Sequence, residues 1–247
     1  TTNYILTKMS EDGADYGAAL REAQELGYAE RDPTADVEGY DAGAKAAIIA
    51  SIAFGVNVVA GDVYHEGIAD ITANDIAVAR RLGYEVKLLG IAECDPHTGE
   101  VSVRVHPAMV PVQHPLASVR HSYNAVFVEG AAVGSLMFYG RGAGGGPTAS
   151  AVLGDVIDAA VNLTNKTHAP LGTFAKARIL GIADTSAEYL IGLDVADEPG
   201  VLHEVTGAFA AHGVSIRAAE QEGFADQARL VFITHTARES AVQATVG

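Results

Sequence analysis

The sequence predicts an α/β (α+β) fold: a mixed sheet covered by helices, followed by a smaller βαββα module. Three observations predict it. Apolar runs of helical and strand period follow one another through the first 165 or so residues. Beyond Ser186 the pattern starts afresh as strand, helix, strand, strand and a second helix. The composition, 49% hydrophobic with 27 dispersed glycines, is that of a globular chain and not a collagenous or disordered one.

The elements follow in order. The opening TTNYILT reads as helix, and YGAALREAQEL (residues 16–26) as an amphipathic helix stopped by Gly27. Residues 31–39 read as a loop with an Asp32-Pro33 turn. Residues 41–54 predict a buried helix, and NDIAVARRL (residues 74–82) a short one. Strands are expected at 86–93, 101–106, 125–129 and 135–139. The prolines between Pro107 and Pro115 are expected to block strand pairing there. A helix is expected from Pro147 to about Leu163. Strands 189–195, 214–219 and 230–234, a helix around Leu202–Phe209 and another from Arg238 complete the second module. The division is therefore residues 1–165, a linker 166–186, and residues 187–247. The chain opens inside a helix without an initiator methionine and ends within another, so it reads as a piece of a longer protein.

Charge and cysteine usage narrow the function. A net charge of −15 with no Lys/Arg cluster argues against nucleic acid and against an anionic membrane surface. No apolar run has the length to span a bilayer, and no basic segment precedes an apolar one as in a secretory signal. A single cysteine, Cys94, fits a cytoplasmic setting and is expected to be a small core residue near a strand end. His97, His106, His114 and His121 follow at spacings of nine, eight and seven, which fit no metal-ligand pattern on one helix; Pro96, Pro107 and Pro115 adjoin the first three, which points to loops.

One stretch concentrates chemistry. GYAERDPTADVEGYDAGAK holds Glu30, Asp32, Asp36, Glu38 and Asp41 ahead of Lys45, the one charge between Ala42 and Phe54. At 100° per residue, Asp41, Lys45, Ile48 and Ile52 share a stripe. With Ile48 and Ile52 expected on the core side, the Asp–Lys pair extends an apolar face. Two readings fit. In one, the pair is structural and Lys45 snorkels to solvent. In the other it faces a cleft, and Lys45 handles a proton for a reacting oxygen. The acids around the approach suit a ligand carrying an ammonium, with the lysine meeting its oxygen end.

This stretch resembles the signature of homoserine dehydrogenases. Ala23, Gly27, Asp32-Pro33, Asp36, Gly39, Asp41 and Lys45 all stand in register. The resemblance implies NAD- or NADP-dependent interconversion of L-aspartate 4-semialdehyde and L-homoserine. It implies Lys45 as proton donor, Asp41 holding it and touching the substrate hydroxyl, Glu30 on the substrate ammonium with Asp36 nearby, and Tyr28 and Thr1 lining the pocket. It also implies that a nucleotide-binding domain precedes Thr1, that the first part is a substrate and dimerisation domain, and that the protein is a homodimer or tetramer.

Gly140-x-Gly142-x-x-Gly145, between a strand and a helix, mimics a dinucleotide fingerprint. No second strand ending in an acid follows, so no βαβ unit closes. The run serves either tight packing or contact with a cofactor held mainly elsewhere. The family resemblance implies the latter, through Gly142, Ala143, Gly144 and Thr148. The tail, with Asp197-x-Pro199-Gly200 between strand and helix, resembles an ACT domain, a ferredoxin-like module lacking its last strand here. That implies an amino-acid effector, commonly threonine, at Asp197, Gly200 and Val201. A regulatory protein that senses amino acids without catalysis is the alternative, and the Asp41–Lys45 pair argues against it.

Overall fold

The computed structural model describes residues 1–142, 144–168, 173–224 and 227–247. The chain divides into two units, Thr1–Ile179 and Leu180–Gly247.

The first unit opens with α1 (Thr2–Asp12), α2 (Tyr16–Glu25), the single turn α3 (Thr34–Val37) and α4 (Tyr40–Phe54). Asp15 caps α2 by accepting from the Ala18 N–H, and Gly13 ends α1 in the left-handed conformation. A short strand β1 (Tyr64–His65), α5 (Ala73–Arg81) and the long strands β2 (Tyr84–Cys94) and β3 (Val101–Pro111) follow. These form a mixed sheet of order β1-β3-β2, parallel at β1–β3 and antiparallel at β2–β3. Tyr4, Ile5, Leu6 and Met9 of α1 join Ala19, Ala23, Ile76, Ala79 and Val86 in one buried cluster. Ala46, Ala47 and Ala50 of α4 pack with Val101, Val103 and Val105 of β3 in another.

Two expectations about this sheet fail. The 31–39 loop contains α3, and the prolines do not stop pairing: Pro107 sits opposite Leu88 and Pro111 opposite Tyr84. Pro107 and Pro111 are four residues apart, so both nitrogens point to the same edge of β3, away from β2. On that edge β1 covers only Arg104 and Val105, so no ladder bond to β1 is lost. His106 therefore lies within β3, not in a loop. Cys94 ends β2 but is exposed, because the strand runs past the helices that cover its other end.

The hairpin β4 (Tyr123–Gly130) and β5 (Gly134–Arg141) follows, then α6 (Gly145–Asn165), a helix with no buried residue among those described. Val126, Val128, Leu136 and Phe138 of the hairpin are exposed. Within the span read as a linker, Ala175 bridges Val56 and Ile179 bridges Val101, so this strip returns to the first unit.

The second unit pairs β6 (Ser186–Ala187) with β10 (Ala237–Arg238). It also builds an antiparallel sheet of β7 (Leu190–Ala196), β8 (Ile216–Phe224) and β9 (Gln227–Thr234), with β9 central. Helices α7 (Val201–Ala211) and α8 (Glu239–Val246) contribute Phe209 and Val242 to a core with Val214, Leu230 and Phe232. Phe209 and Phe232 meet with ring centroids 4.9 Å apart.

Candidate active site

The acid-rich stretch is fixed by short-range bonds. After α2, the N–H groups of Tyr28 and Ala29 both donate to Ala23 O, at 2.8 and 3.1 Å, which turns the chain back. Gln24 Nε2 donates to Glu30 O at 3.0 Å. Asp32 Oδ1 accepts from the Thr34 hydroxyl at 2.7 Å and from its N–H at 3.2 Å, which starts α3 and holds the carboxyl below its ordinary range. Gly67 fixes the far side: a Cβ there would lie 2.3 Å from Val37 O, so only glycine lets the two backbones approach.

Asp36 is then drawn to the start of α1. Thr1 Oγ1 lies 2.9 Å from Asp36 Oδ2 and 2.6 Å from Tyr28 O. The Tyr28 ring packs against Tyr4 at 5.1 Å. One turn into α4, Lys45 Nζ donates to Asp41 Oδ2 at 2.5 Å. Thr1 and Asp36 thus form one bonded pair and Asp41 and Lys45 another, both set by the acid-rich stretch and its junction with α4. Glu30 lies exposed on the same loop.

The pair does not extend a core stripe as expected. Lys45 and Asp41 have side chains 65% and 45% exposed, and Ile48 and Ile52 are 60% and 55% exposed. The buried side of α4 is Gly43, Ala46, Ala47, Ala50 and Ser51. These small residues give a flat face that sits close on the β3 valines, so the sheet takes that side and leaves the bulky isoleucines outside. Hydrophobicity alone mistook the larger residues for the inner ones.

Of the glycine-run residues, Ala143 lies outside the described residues. Gly142 abuts Asn124 so closely that a Cβ would fall 1.4 Å from Asn124 Nδ2. Gly144 precedes α6 at φ 112°, and the Thr148 N–H donates to Gly144 O at 3.1 Å. Around Gly145 and Gly146 the space where a Cβ would project is open. The start of α6 is therefore open on the side where side chains at Gly145 and Gly146 would stand.

In the second unit a cleft of about 490 Å³ is lined by Val195–Leu202 with Gln221 and Leu230. Asp197, Gly200 and Val201 all line it, and Gly200, at φ 105°, opens α7. Gln221 Nε2 approaches Asp197 Oδ1 at 3.4 Å. Gln221 and Leu230 were not singled out from the sequence, since their place depends on strand pairing across the sheet. Among the described residues no three of the His, Cys, Asp and Glu side chains gather as metal ligands.

A model of the homoserine dehydrogenase family matches residues 1–157. The chain belongs to the homoserine dehydrogenase family. An ACT domain model matches residues 189–246. The chain is 52% identical to a homoserine dehydrogenase of Corynebacterium glutamicum, an alignment that takes in the whole chain and 56% of that relative. The crystal structure of a homoserine dehydrogenase from Thiobacillus denitrificans superposes with a TM-score of 0.91 at 39% identity, over 99% of this chain and 57% of that one. A hyperthermophilic archaeal homoserine dehydrogenase in complex with NADPH matches 65% of this chain and 44% of its own, with a TM-score of 0.51 at 31% identity. The chain thus spans little more than half the length of the Corynebacterium and Thiobacillus enzymes, and its match takes in less than half of the archaeal one.

Proposed function

We propose that this chain is the substrate-binding and regulatory part of an enzyme that interconverts L-aspartate 4-semialdehyde and L-homoserine with NAD or NADP, in the biosynthesis of threonine, methionine and isoleucine. The observation that carries the reading is how the acid-rich stretch is held: the Thr1 hydroxyl meets both Tyr28 O and Asp36, and Lys45 pairs with Asp41 one turn into α4. The nicotinamide cofactor supplies or accepts the hydride when bound. As hydride reaches the aldehyde carbon, charge builds on oxygen, and Lys45 gives that oxygen a proton; in reverse it takes the hydroxyl proton. Asp41, at 2.5 Å, fixes the lysine nitrogen and touches the substrate hydroxyl. Glu30 holds the substrate ammonium with Asp36 nearby, and Tyr28 and Thr1 wall the site. Gly142, Gly144 and Thr148, with Ala143, meet the cofactor, whose main hold lies outside this chain.

The cleft at Asp197, Gly200 and Val201 takes an amino-acid effector, threonine in our reading, with its carboxylate at the start of α7. The exposed apolar strands β4 and β5 support a homodimer or tetramer. We place the substrate-binding domain in residues 1–165 and the ACT domain in 187–247 of a cytoplasmic enzyme, with the connecting stretch 166–186 returning to the first unit at Ala175 and Ile179. No helix among the described residues is long and apolar enough to cross a membrane.

The test joins this chain to the part of the Corynebacterium glutamicum enzyme that it does not span, and follows reduction of NAD and of NADP by L-homoserine. Turnover with either cofactor is expected; a folded protein inert with both overturns the reading. For the effector, saturating threonine is expected to raise the melting temperature of the chain, and an unchanged midpoint removes that part of the proposal.

A further inference from the structure

Beneath the start of α1 lies a polar hub that the reaction itself does not use. Lys87, on β2, is only 6% exposed. Alternation along β2 puts it on the face opposite Val86 and Leu88, beside Glu85. Asn3, Thr7 and Ser10 form one stripe of α1 that meets this face. Lys87 Nζ donates to Asn3 Oδ1 at 2.9 Å and to Val119 O. The other end of the Asn3 amide donates to His121 O at 3.2 Å and Tyr123 O at 3.0 Å. Thr7 Oγ1 accepts from the His121 N–H at 3.2 Å. Ser10 donates to Glu85 at 2.8 Å, and Arg120 pairs with Glu11.

Two paths leave this hub. Along α1, Asn3 is two residues from Thr1, whose hydroxyl is tied to Tyr28 and Asp36. Along β4, Tyr123 precedes Asn124, whose amide fills the space beside Gly142. One ammonium therefore braces both the acid–lysine cluster and the glycine loop. A buried charge held by neutral oxygens is a costly way to fasten a fold when an apolar residue would pack as well. A requirement for precise placement at both ends explains it better.

Resting on the function proposed above, we infer that Lys87, acting through Asn3, is a positioning residue that holds the acid–lysine cluster and the glycine loop in mutual register. It touches neither substrate nor cofactor. Lys87→Met keeps the bulk of the stem and removes the ammonium; Asn3→Ala keeps the lysine and cuts the relay. Ser10→Ala breaks a neighbouring bond of the same network outside the relay and serves as control.

Two readouts decide the matter. In the joined enzyme, Lys87→Met and Asn3→Ala are each expected to lower kcat/KM about tenfold or more, a misplacement effect, with Ser10→Ala within twofold of the parent. In the chain alone, amide hydrogen exchange over residues 34–41 and 123–142 is expected to quicken about tenfold in both relay variants and not in the control. Should Lys87→Met fail to fold, Asn3→Ala carries both readouts. Unchanged exchange in both segments, or kcat/KM within twofold of the parent for a folded relay variant, overturns the inference. A parent without homoserine-dependent turnover would sink the proposed function instead, and the exchange result would still decide whether the relay holds the two segments.

Discussion

Lys45 and Lys87 lie in the same unit and meet solvent in opposite ways. Lys45 stands on the outer stripe of α4, 65% exposed, with the Asp41 carboxylate 2.5 Å away. Lys87 is 6% exposed on β2, and its nitrogen faces the oxygens of Asn3 and Val119. Water and a carboxylate both reach the Lys45 nitrogen. Burial acts on Lys87, whose nitrogen bonds the neutral oxygens of Asn3 and Val119, and pushes its ammonium down to about 8; Glu85 and Glu11 resist the shift and Arg120 adds to it. An accessible ammonium is available to a substrate, whereas a buried one is available only to the fold.

The largest expected effect tests the exposed member. In the joined enzyme, Lys45→Ala is expected to cut turnover by about a hundredfold or more, the lower range for a lost general acid–base. Its folding midpoint is expected to stay within about 1 kcal/mol of the parent, since an exposed ion pair contributes little. Steady-state kinetics and urea titration on the same preparations check both halves. Turnover near that of the parent would remove Lys45 from the proton transfer and leave the pair with Asp41 as a surface ion pair.

The contrast also shows what could be read in advance. Lys45 was legible because it is a lone charge in a helix with an acid one turn earlier, a local pattern. The approach through Asp32-Pro33 and Gly39 was legible for the same reason. Which side of α4 faces inward was not. That depends on small residues fitting flat against β3, a property of two surfaces and not of one helix. The continuation of β3 through Pro107 and Pro111 was likewise hidden, because it depends on which edge of the strand carries the neighbour. Lys87 gave one signal that could have been used: it is the one charge in the apolar run VKLLGIA. Its partners Asn3 and Val119 lie 84 and 32 residues away, so no spacing rule links them. In the second unit the Asp-x-Pro-Gly turn was readable, while Gln221 and Leu230 joined the cleft only through the pairing of β7, β8 and β9.

The buried member gives a smaller effect with a definite sign. An unfolded Lys87 keeps its proton up to its ordinary value of 10.5, whereas the folded chain releases it near 8. Between these values the unfolded state binds more protons, so this group makes the fold more stable as pH rises. Below pH 8 both states are protonated and the cost of burying the charge is fully present. Measured by urea unfolding at pH 8 and pH 10, the contribution is expected to be roughly 1–2 kcal/mol. Staying at or below pH 10 avoids Tyr4, whose phenol is raised to about 12 by burial and by its bond to Glu22, and which acts in the opposite direction above its ordinary value of 10.0. The parent chain should therefore gain stability over this interval relative to Lys87→Met, which has no proton to release there. Equal pH dependence in the two proteins would mean that the Lys87 nitrogen reaches water in solution. The division between a lysine open to substrate and one reserved for the fold would then fail at its buried end.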